Sequence, residues 1–253
     1  MGKAYGPLVI NGSKYDPLLQ SFINKAGTES LSELEKSATN NFLKALRKKA
    51  SIFDKLVWVH PYLGSTPLAR SLNLLNTNIH KITFHGNVEH KDFYTQYNTG
   101  NGEVDISDIP SNTNMFFGIY ILNSIQLKVV DIGQNNMGTN RQSFLAYWTG
   151  IGMVLDCGNV TDGRIIASPS AIDKFLIGNA YNSSISLWRD GVKLTSKTSN
   201  VAYPIPGLAY NADSSANTRQ YAFSTMGKGL TDEEVVFLTG IVNNYMIGLG
   251  RSV

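Results

Sequence analysis

The chain has a single cysteine, Cys157, and therefore cannot form an internal disulfide. Cys157 lies in the apolar run 153–157 (MVLDC), so we interpret it as a small buried hydrophobe rather than a catalytic thiol. Charge is also scarce, because 16% of the residues are charged against about a quarter in ordinary soluble domains. Asn, Ser, Thr, Gly and Tyr replace the missing charge. A surface of amides, hydroxyls and aromatic rings is typical of β proteins that bind sugars or other proteins.

Long apolar runs are missing as well. No segment approaches the ~18 consecutive apolar residues that a membrane-spanning helix needs, so no membrane partner is predicted. The first residues lack the charged-then-apolar pattern of a signal peptide, which predicts synthesis in a cytoplasm without secretion by that route. An adhesive-looking surface without an export signal would be explained by a particle that is released by lysis.

The positive charge is concentrated near the start of the chain. Residues 1–62 hold nine Lys/Arg and five Asp/Glu and have a net charge of +4, whereas the whole chain has a net charge of +3. Most of the excess is Lys44, Arg47, Lys48 and Lys49, at the end of a predicted helix, where cations complement the helix dipole. A nucleic-acid surface would spread basic residues over a face with aromatics between them. The pattern therefore predicts no nucleic-acid partner.

Helices are predicted at both ends of the chain. Residues 1–14 have little periodicity and are interpreted as an arm, and Asp16-Pro17 opens a short helix that ends before Gly27. A capping box of Ser32 and Glu35 starts an amphipathic helix that runs to about residue 50, and residues 52–58 are expected to add one more helical turn. Near the C-terminus, Thr231 and Glu234 form a second capping box before an apolar stripe at three- and four-residue steps.

Between these ends the sequence indicates short strands separated by Asn, Gly and Asp clusters. The predicted strands are 71–75, 81–85, 92–97, 115–122, 126–131, 143–148, 152–156, 174–177, 184–189, 192–196 and 220–225. Asp190-Gly191 supplies the positive φ angles of a two-residue hairpin turn. The prediction is a mainly β fold: an antiparallel jelly-roll β-sandwich with an N-terminal helical appendage over residues 1–62, a β domain over residues 63–253 and a C-terminal helix.

Three segments together resemble a known class of proteins. Residues 185–192 (ISLWRDGV) resemble the hairpin of concanavalin A-like and laminin-G-like jelly rolls. In such folds a strand commonly leads into a terminal helix through a turn like that of residues 220–235 (QYAFSTMGKGLTDEEV). Residues 53–66 (FDKLVWVHPYLGST), placed after helices and before the strands, complete an order similar to that of tailed-bacteriophage virion proteins with a lectin-like domain.

This resemblance implies a non-enzymatic virion protein of a bacteriophage, located in a tail or head fibre or a decoration layer. Its expected partners are other virion proteins, its own copies in a symmetric homo-oligomer, and host surface glycans. The helical region would attach the protein to the particle, and the β loops would face outward. A decoration protein without any ligand is a further hypothesis.

Sugar binding needs an exposed aromatic ring flanked by polar groups. Tyr94 and Tyr97 precede a polar loop, Trp148 follows Tyr147 at a strand end, and Trp188 precedes Arg189 at a hairpin. Because neighbouring strand residues face opposite ways, one ring of an adjacent pair is expected to face solvent. The candidate carbohydrate-binding residues are therefore Tyr94, Tyr97, Trp148 and Trp188.

An enzymatic alternative rests on the acidic segment 103–108 (EVDISD). Retaining glycoside hydrolases on jelly-roll folds use a strand motif of three carboxylates, with the two reacting groups about 5 Å apart. Strand alternation places Glu103 and Asp105 on one face, and a bulge could bring Asp108 to the same face. Asp108 is a methylene shorter than the Glu of that motif, and Ile109-Pro110 ends the strand at once. We therefore favour a solvent-facing acidic strand and predict no catalytic residues.

Histidine and acidic residues give no clear metal site. His80, His85 and His90 are close in sequence, with Glu89 nearby, but surface histidines explain the pattern without a metal. No Asp-x-Asp-x-Asp loop suits calcium, and no phosphate-loop or dinucleotide motif is present. The sequence predicts neither a metal nor a cofactor.

Overall fold

A computed structural model describes residues 14–106, 114–127, 129–133, 140–199, 208–210 and 217–251 of the chain. The predicted arm at residues 1–14 lies outside these residues except for Lys14. The strands pair antiparallel and form two facing sheets. The mainly β sandwich that the sequence predicts is thus confirmed.

Helices lie at both ends of the chain and strands between them. The helices are α1 (Pro17–Ala26), α2 (Glu33–Arg47), α3 (Ala50–Phe53), α4 (Pro67–Ser71) and α5 (Asp232–Gly248). The strands are β1 (Leu56–His60), β2 (Ile82–His85), β3 (Glu89–His90), β4 (Thr95–Gln96), β5 (Asn101–Val104), β6 (Met115–Ile121), β7 (Ile132–Gly133), β8 (Asn140–Trp148), β9 (Gly152–Ala167), β10 (Lys174–Tyr181), β11 (Ser184–Arg189), β12 (Val192–Thr198), β13 (Leu208–Tyr210) and β14 (Tyr221–Lys228). Within the described ranges, no helix is both long and apolar enough to cross a membrane.

Within the described ranges, the two sheets have eight and six strands. The larger sheet has the order β12-β11-β10-β6-β14-β4-β3, and β1 also pairs with β14. The smaller sheet has the order β2-β5-β13-β7-β8-β9. The predicted hairpin turn joins β11 to β12, because Asp190 and Gly191 have φ angles of 52° and 78°.

Among the described residues, the two larger hydrophobic cores separate three layers. One core lies between the sheets, and the other lies between the eight-stranded sheet and the helices. β6 contributes to both, since its side chains alternate: Phe117 and Ile119 lie in the first core, and Phe116 and Tyr120 in the second. The helices thus cover one side of the larger sheet, and its other side faces the six-stranded sheet.

The helix boundaries follow the local signals in the sequence. Asp16 accepts a hydrogen bond from the backbone N–H of Leu18 at 2.9 Å and caps α1, and Ser32 and Glu35 form the predicted capping box of α2. Thr231 Oγ1 accepts from the N–H of Glu234 at 3.2 Å, and a Glu234 carboxylate oxygen accepts from the N–H of Thr231 at 2.9 Å. The cap of α5 therefore satisfies two backbone donors that the helix itself cannot pair.

We expect Thr231→Ala to lower the free energy of unfolding by about 1 kcal/mol, because it removes one half of this capping box. Chemical denaturation at constant pH measures the change. Thr198→Ala, on the exposed edge strand β12, is the control and should change stability by less than about 0.5 kcal/mol. Equal effects of the two substitutions would contradict the proposed role of the cap.

Three predicted elements differ from the structure. Helix α3 ends at Phe53, and residues 56–60, expected to be partly helical, form β1 because they pair with β14. Residues 71–75 form no strand, since Thr66 caps α4 and this helix continues to Ser71. In the segment 126–131 the described residues form no strand either, because the chain there connects the two sheets.

The division of the chain at residue 63 stays a prediction. Residues before this point, including Phe22 and Phe42, share a core with Phe223 of β14 and Tyr245 of α5. The ring centroids of Phe42 and Tyr245 are 4.6 Å apart. The N-terminal helices and the β-sandwich therefore contribute side chains to one common core.

Candidate functional site

The outer face of the six-stranded sheet carries one continuous row of paired residues. The row is Thr83, Glu103, Ala209, Gly133, Ser143 and Asp156. Paired residues of antiparallel strands project from the same face of a sheet. Residues that flank this row along the strands, including Ile82, Val104 and Phe144, lie in the core between the sheets. Glu103, Ser143 and Asp156 therefore point away from that core.

Trp148 lies on this outer face at the end of β8. It packs against the buried side chains of Val130, Leu145 and Val154, and its ring stays partly exposed. The guanidinium carbon of Arg164 is 5.6 Å from the ring centroid, which is within the range of a cation–π contact. The face thus combines an aromatic ring with a charged hydrogen-bond donor.

Asp156 fixes the position of Arg164. Its two carboxylate oxygens accept hydrogen bonds from Arg164 Nε at 2.6 Å and Nη2 at 2.8 Å, and Ser143 Oγ donates to the same carboxylate at 3.0 Å. Asp156 is fully buried, whereas the Arg164 side chain is 23% exposed. The hydrogen bonds to Asp156 raise the pKa of Arg164. No described residue accepts a hydrogen bond from Arg164 Nη1. The two N–H groups of Nη1 are therefore left for a ligand.

The fold of β9 brings these two residues together. They are 8 residues apart, a separation of about 26 Å in a straight strand. The first half of β9 pairs with β8, and a Cβ added to Gly152 would clash with the carbonyl oxygen of Ala167. β9 therefore folds back on itself, so that its start and end lie side by side.

A buried ionic network lies next to this face. Arg219 Nη1 donates to the two oxygens of Asp131 at 2.7 and 2.6 Å, and both side chains are 0% exposed. The hydroxyl of Tyr221 and the backbone N–H of Ala146 also donate to Asp131. Burial opposes the charge of Arg219, but the carboxylate of Asp131 outweighs it and raises the pKa of Arg219. Burial also raises the pKa of Tyr221 well above its usual value.

The remaining donors of Arg219 hold backbone carbonyls in place. Nε donates to Ile125 at 3.1 Å, and Nη2 donates to Leu127 at 2.7 Å and to Tyr147 at 2.5 Å. Tyr147 directly precedes Trp148. The network therefore fixes the end of β8 that carries the exposed ring.

Two of the predicted sugar-binding residues are buried. Tyr97 is 0% exposed and lies in the core between the sheets, with its ring centroid 5.6 Å from that of Tyr221. Trp188 is 4% exposed and lies in the core beneath the helices, where its Nε1 donates to Ser186 Oγ at 2.8 Å. Neither ring has a face on which a sugar could stack, and the structure removes both from the candidate set.

Tyr94 is partly exposed and lies at the tip of the β3–β4 hairpin. Arg70 Nη1 donates to the carbonyl of Tyr94 at 2.6 Å, and Arg251 Nη2 donates to that of Asp92 at 3.1 Å. The tip is therefore fixed by two buried arginines. It presents Phe93, which is 51% exposed and which the sequence analysis did not single out.

The acidic residues of the enzymatic alternative are only partly brought together. Glu103 and Asp105 are exposed while Val104 is buried, which places the two carboxylates on one face, as strand alternation predicts. His85 Nε2 is 3.6 Å from a carboxylate oxygen of Glu103. Asp108 lies outside the described residues. Glu103 lies on β5, which pairs with the edge strand β2, and Asp105 directly follows the end of β5.

The sequence analysis assumed that the histidines lie on the surface, but two of them are buried. His80 is 7% exposed, and His60 is fully buried, with its Nε2 donating to the carbonyl of His80 at 2.7 Å. Burial lowers the pKa of His60 to about 3. Among the described side chains, no group of three or more His, Cys, Asp or Glu could hold a metal ion. The absence of a metal stays a prediction.

Sequence reasoning found Trp148 but missed Asp156 and Arg164. Asn159 and the pair Asp162-Gly163 are turn signals between these two residues and could have suggested that the chain folds back. The sequence analysis predicted a strand only over residues 152–156 and assigned no element to residues 157–167. The contact that builds the site was therefore hidden in the sequence.

Comparison with known proteins identifies the fold. No protein-family model matches the chain, and no curated protein matches it in sequence. Domain 4 of AbnA, a GH43 extracellular arabinanase from Geobacillus stearothermophilus solved in complex with arabinotriose, is similar with a TM-score of 0.58 at 11% identity over 73% of this chain and 98% of that domain. The Trypanosoma rangeli sialidase in complex with sialic acid has a TM-score of 0.53 at 11% identity, over 82% of this chain but 39% of the sialidase. At such identities the matches show a shared β-sandwich fold and nothing more.

Proposed function

We propose that this protein is a non-enzymatic glycan-binding protein that uses the outer face of the six-stranded sheet around Trp148. One observation carries the proposal: a partly exposed tryptophan lies beside an arginine that a buried aspartate holds in place. An aromatic ring offers a surface for the C–H groups of a sugar, and the planar guanidinium offers paired donors for its oxygens. The Asn-, Ser- and Thr-rich composition agrees with such a role.

The proposal includes a place on a bacteriophage particle, as the order of segments in the sequence suggests. The helical side would attach to another virion protein or to copies of this chain. The six-stranded sheet would then face away from the attachment and toward host glycans. This orientation is supported by the layering, because the described helices cover the side of the sandwich opposite Trp148.

A glycoside hydrolase acting through Glu103, Asp105 and Asp108 is the less favoured function. The acid catalyst of such enzymes is kept protonated by an apolar surrounding. The side chain of Glu103 is 62% exposed and close to His85. Its position favours a binding surface. We expect Glu103→Gln to leave the glycan affinity within about twofold of the parent, and we expect no difference in polysaccharide hydrolysis between the parent and the variant.

We expect Trp148→Ala to weaken glycan binding at least tenfold, because aromatic residues at the centre of a contact commonly contribute more than 1.4 kcal/mol. An array of bacterial surface polysaccharides identifies ligands, and calorimetry with the best one measures the affinity. Phe237→Ala is the matched control, since Phe237 is an exposed aromatic on α5 at the opposite side of the molecule. Equal binding by the two variants, or binding by neither the parent nor the control, would refute the proposal.

A further inference from the structure

We infer that the site around Trp148 and Arg164 selects uncharged sugars, and that Arg164 binds two neighbouring hydroxyl groups of the ring. This inference rests on the proposed function, since it concerns the ligand class of the same surface. It follows from how the charge of Arg164 is compensated and from which of its N–H groups are left over.

The positive charge of Arg164 is already matched within the protein. Asp156 binds it through two short hydrogen bonds and is fully buried, and the Arg164 side chain is 23% exposed, so water screens the pair only in part. Beside the ring of Trp148, the carboxylate of Asp156 thus balances the charge of Arg164. A carboxylate or sulfate on a sugar would meet no uncompensated positive charge here and would lose its own hydration.

The free edge of the guanidinium suits a pair of hydroxyls. Nε and one N–H of Nη2 are used by Asp156, which leaves the two N–H groups of Nη1 and the second of Nη2. In the plane of the guanidinium, the second N–H of Nη2 and one N–H of Nη1 are parallel to each other, as a pair of neighbouring ring hydroxyls requires. Ser143 holds Asp156, and Asp156 holds Arg164, so this edge is oriented before a ligand arrives. Asp156 is thus a positioning residue and Arg164 the binding residue.

Apolar groups lie near the donors. Trp148 lies next to the guanidinium, and Ile166, which is 44% exposed, follows Arg164 by two residues on the same face of β9. A partly exposed aromatic and an exposed aliphatic side chain near a hydrogen-bonding edge match a sugar ring, whose faces are apolar and whose rim carries hydroxyls. A ligand that binds by charge would not need this arrangement.

Matched polysaccharides test the inference. Each acidic bacterial surface polysaccharide of a panel is compared with its carboxyl-reduced form, in which uronic acids have become neutral hexoses, at 50 and 500 mM salt. We expect the neutral form to bind at least tenfold more tightly than the acidic form, with less than a twofold change between the two salt concentrations. Arg164→Lys should weaken the neutral form at least tenfold, because a lysine cannot bind Asp156 and two hydroxyls in one plane.

Asp156→Asn gives the sharper test, since it removes the compensating charge and keeps the size of the side chain. We expect this variant to bind the acidic form at least tenfold more tightly than the parent does, and to lose that gain at 500 mM salt. Asp173→Asn is the matched control, because Asp173 pairs with Arg189 on the other sheet at 3.2 Å. It should leave the ratio of acidic to neutral binding unchanged. Thermal unfolding confirms that the variants are folded. If Asp156→Asn does not fold, Arg164→Lys is the variant that tests the inference.

The possible results separate the two proposals. The inference is overturned if the parent protein prefers acidic forms, or if a folded Asp156→Asn variant has an unchanged ratio of acidic to neutral binding. The proposed function still stands in that case, provided that binding depends on Trp148. Absence of Trp148-dependent binding to any polysaccharide overturns both. Neutral preference that is insensitive to salt and reversed by Asp156→Asn supports both.

Discussion

Replacing Arg219 by methionine should lower the free energy of unfolding by about 3–5 kcal/mol, the largest effect we expect from one substitution in this chain. The substitution leaves the carboxylate of Asp131 without its cation at a position that is 0% exposed. It also removes the donors to the carbonyls of Ile125, Leu127 and Tyr147. A buried charge that has lost its partner destabilises a fold far more than an intact pair stabilises it.

Urea denaturation and calorimetry measure the loss, which should appear as a decrease of about 10 °C in Tm for a chain of this size. Arg189→Met is the matched control. Its partner Asp173 is 28% exposed and 3.2 Å away, so solvent screens the pair and the loss should stay below about 1 kcal/mol. The double variant Arg219→Met/Asp131→Leu should be less destabilised than the sum of the single variants, because the two side chains act as one unit. Additive effects, or a loss as small as that of Arg189→Met, would show that the pair is not stabilising as described.

Acid should destabilise the protein through His60, and this is the second large effect. Burial lowers its folded-state pKa to about 3, while the unfolded chain has a value of about 6.5. Above pH 6.5 the imidazole is neutral in both states, so stability does not depend on it. As the pH falls below 6.5, only the unfolded state takes up a proton, and folding stability is lost until the pH reaches the folded pKa. The loss is about 3 kcal/mol at pH 4.5 and at most about 5 kcal/mol at pH 3.

His60→Gln isolates this contribution, since an amide N–H can still donate to the carbonyl of His80 but has no charge to gain. Carboxylates in ion pairs also lose their charge below about pH 4, and the difference between parent and variant removes that common contribution. We expect the free energy of unfolding to fall less in His60→Gln than in the parent between pH 7.5 and 4.5, by about 3 kcal/mol. His85→Gln, at an exposed position, should follow the parent. Parallel curves for the parent and His60→Gln would exclude His60 as the acid-sensitive group.

Local signals explain which elements the sequence predicts well. Asp16-Pro17, the pair Ser32 and Glu35, and the pair Thr231 and Glu234 each bond within a few residues, so their hydrogen bonds can be anticipated from spacing alone. Asp190-Gly191 marks its hairpin for the same reason. Strand β1 is different, because an apolar stretch after a helix fits a helical turn equally well. Only its partner β14, far along the chain, makes it a strand.

The binding residues are harder to predict because exposure depends on all three layers. Strand alternation correctly separates the two faces of β11, but it cannot show that helices cover the face that carries Trp188. Tyr97 is covered in turn by the packing of the two sheets. Trp148 remains partly exposed because no helix covers its face among the described residues. Its partnership with Arg164 depends on β9 folding back, which the turn signals at Asn159 and Asp162-Gly163 suggest without showing which residues the turn brings together.

Strand β6 offers a way to observe the two cores separately. Phe116 and Phe117 are neighbours in the chain, yet they belong to different hydrophobic clusters. A fluorine label on one ring would respond to detachment of the helices, and the same label on the other would respond to separation of the sheets. The same label on two neighbouring residues could thus follow two steps of unfolding separately. A lag between the changes in their NMR signals would show which layer detaches first.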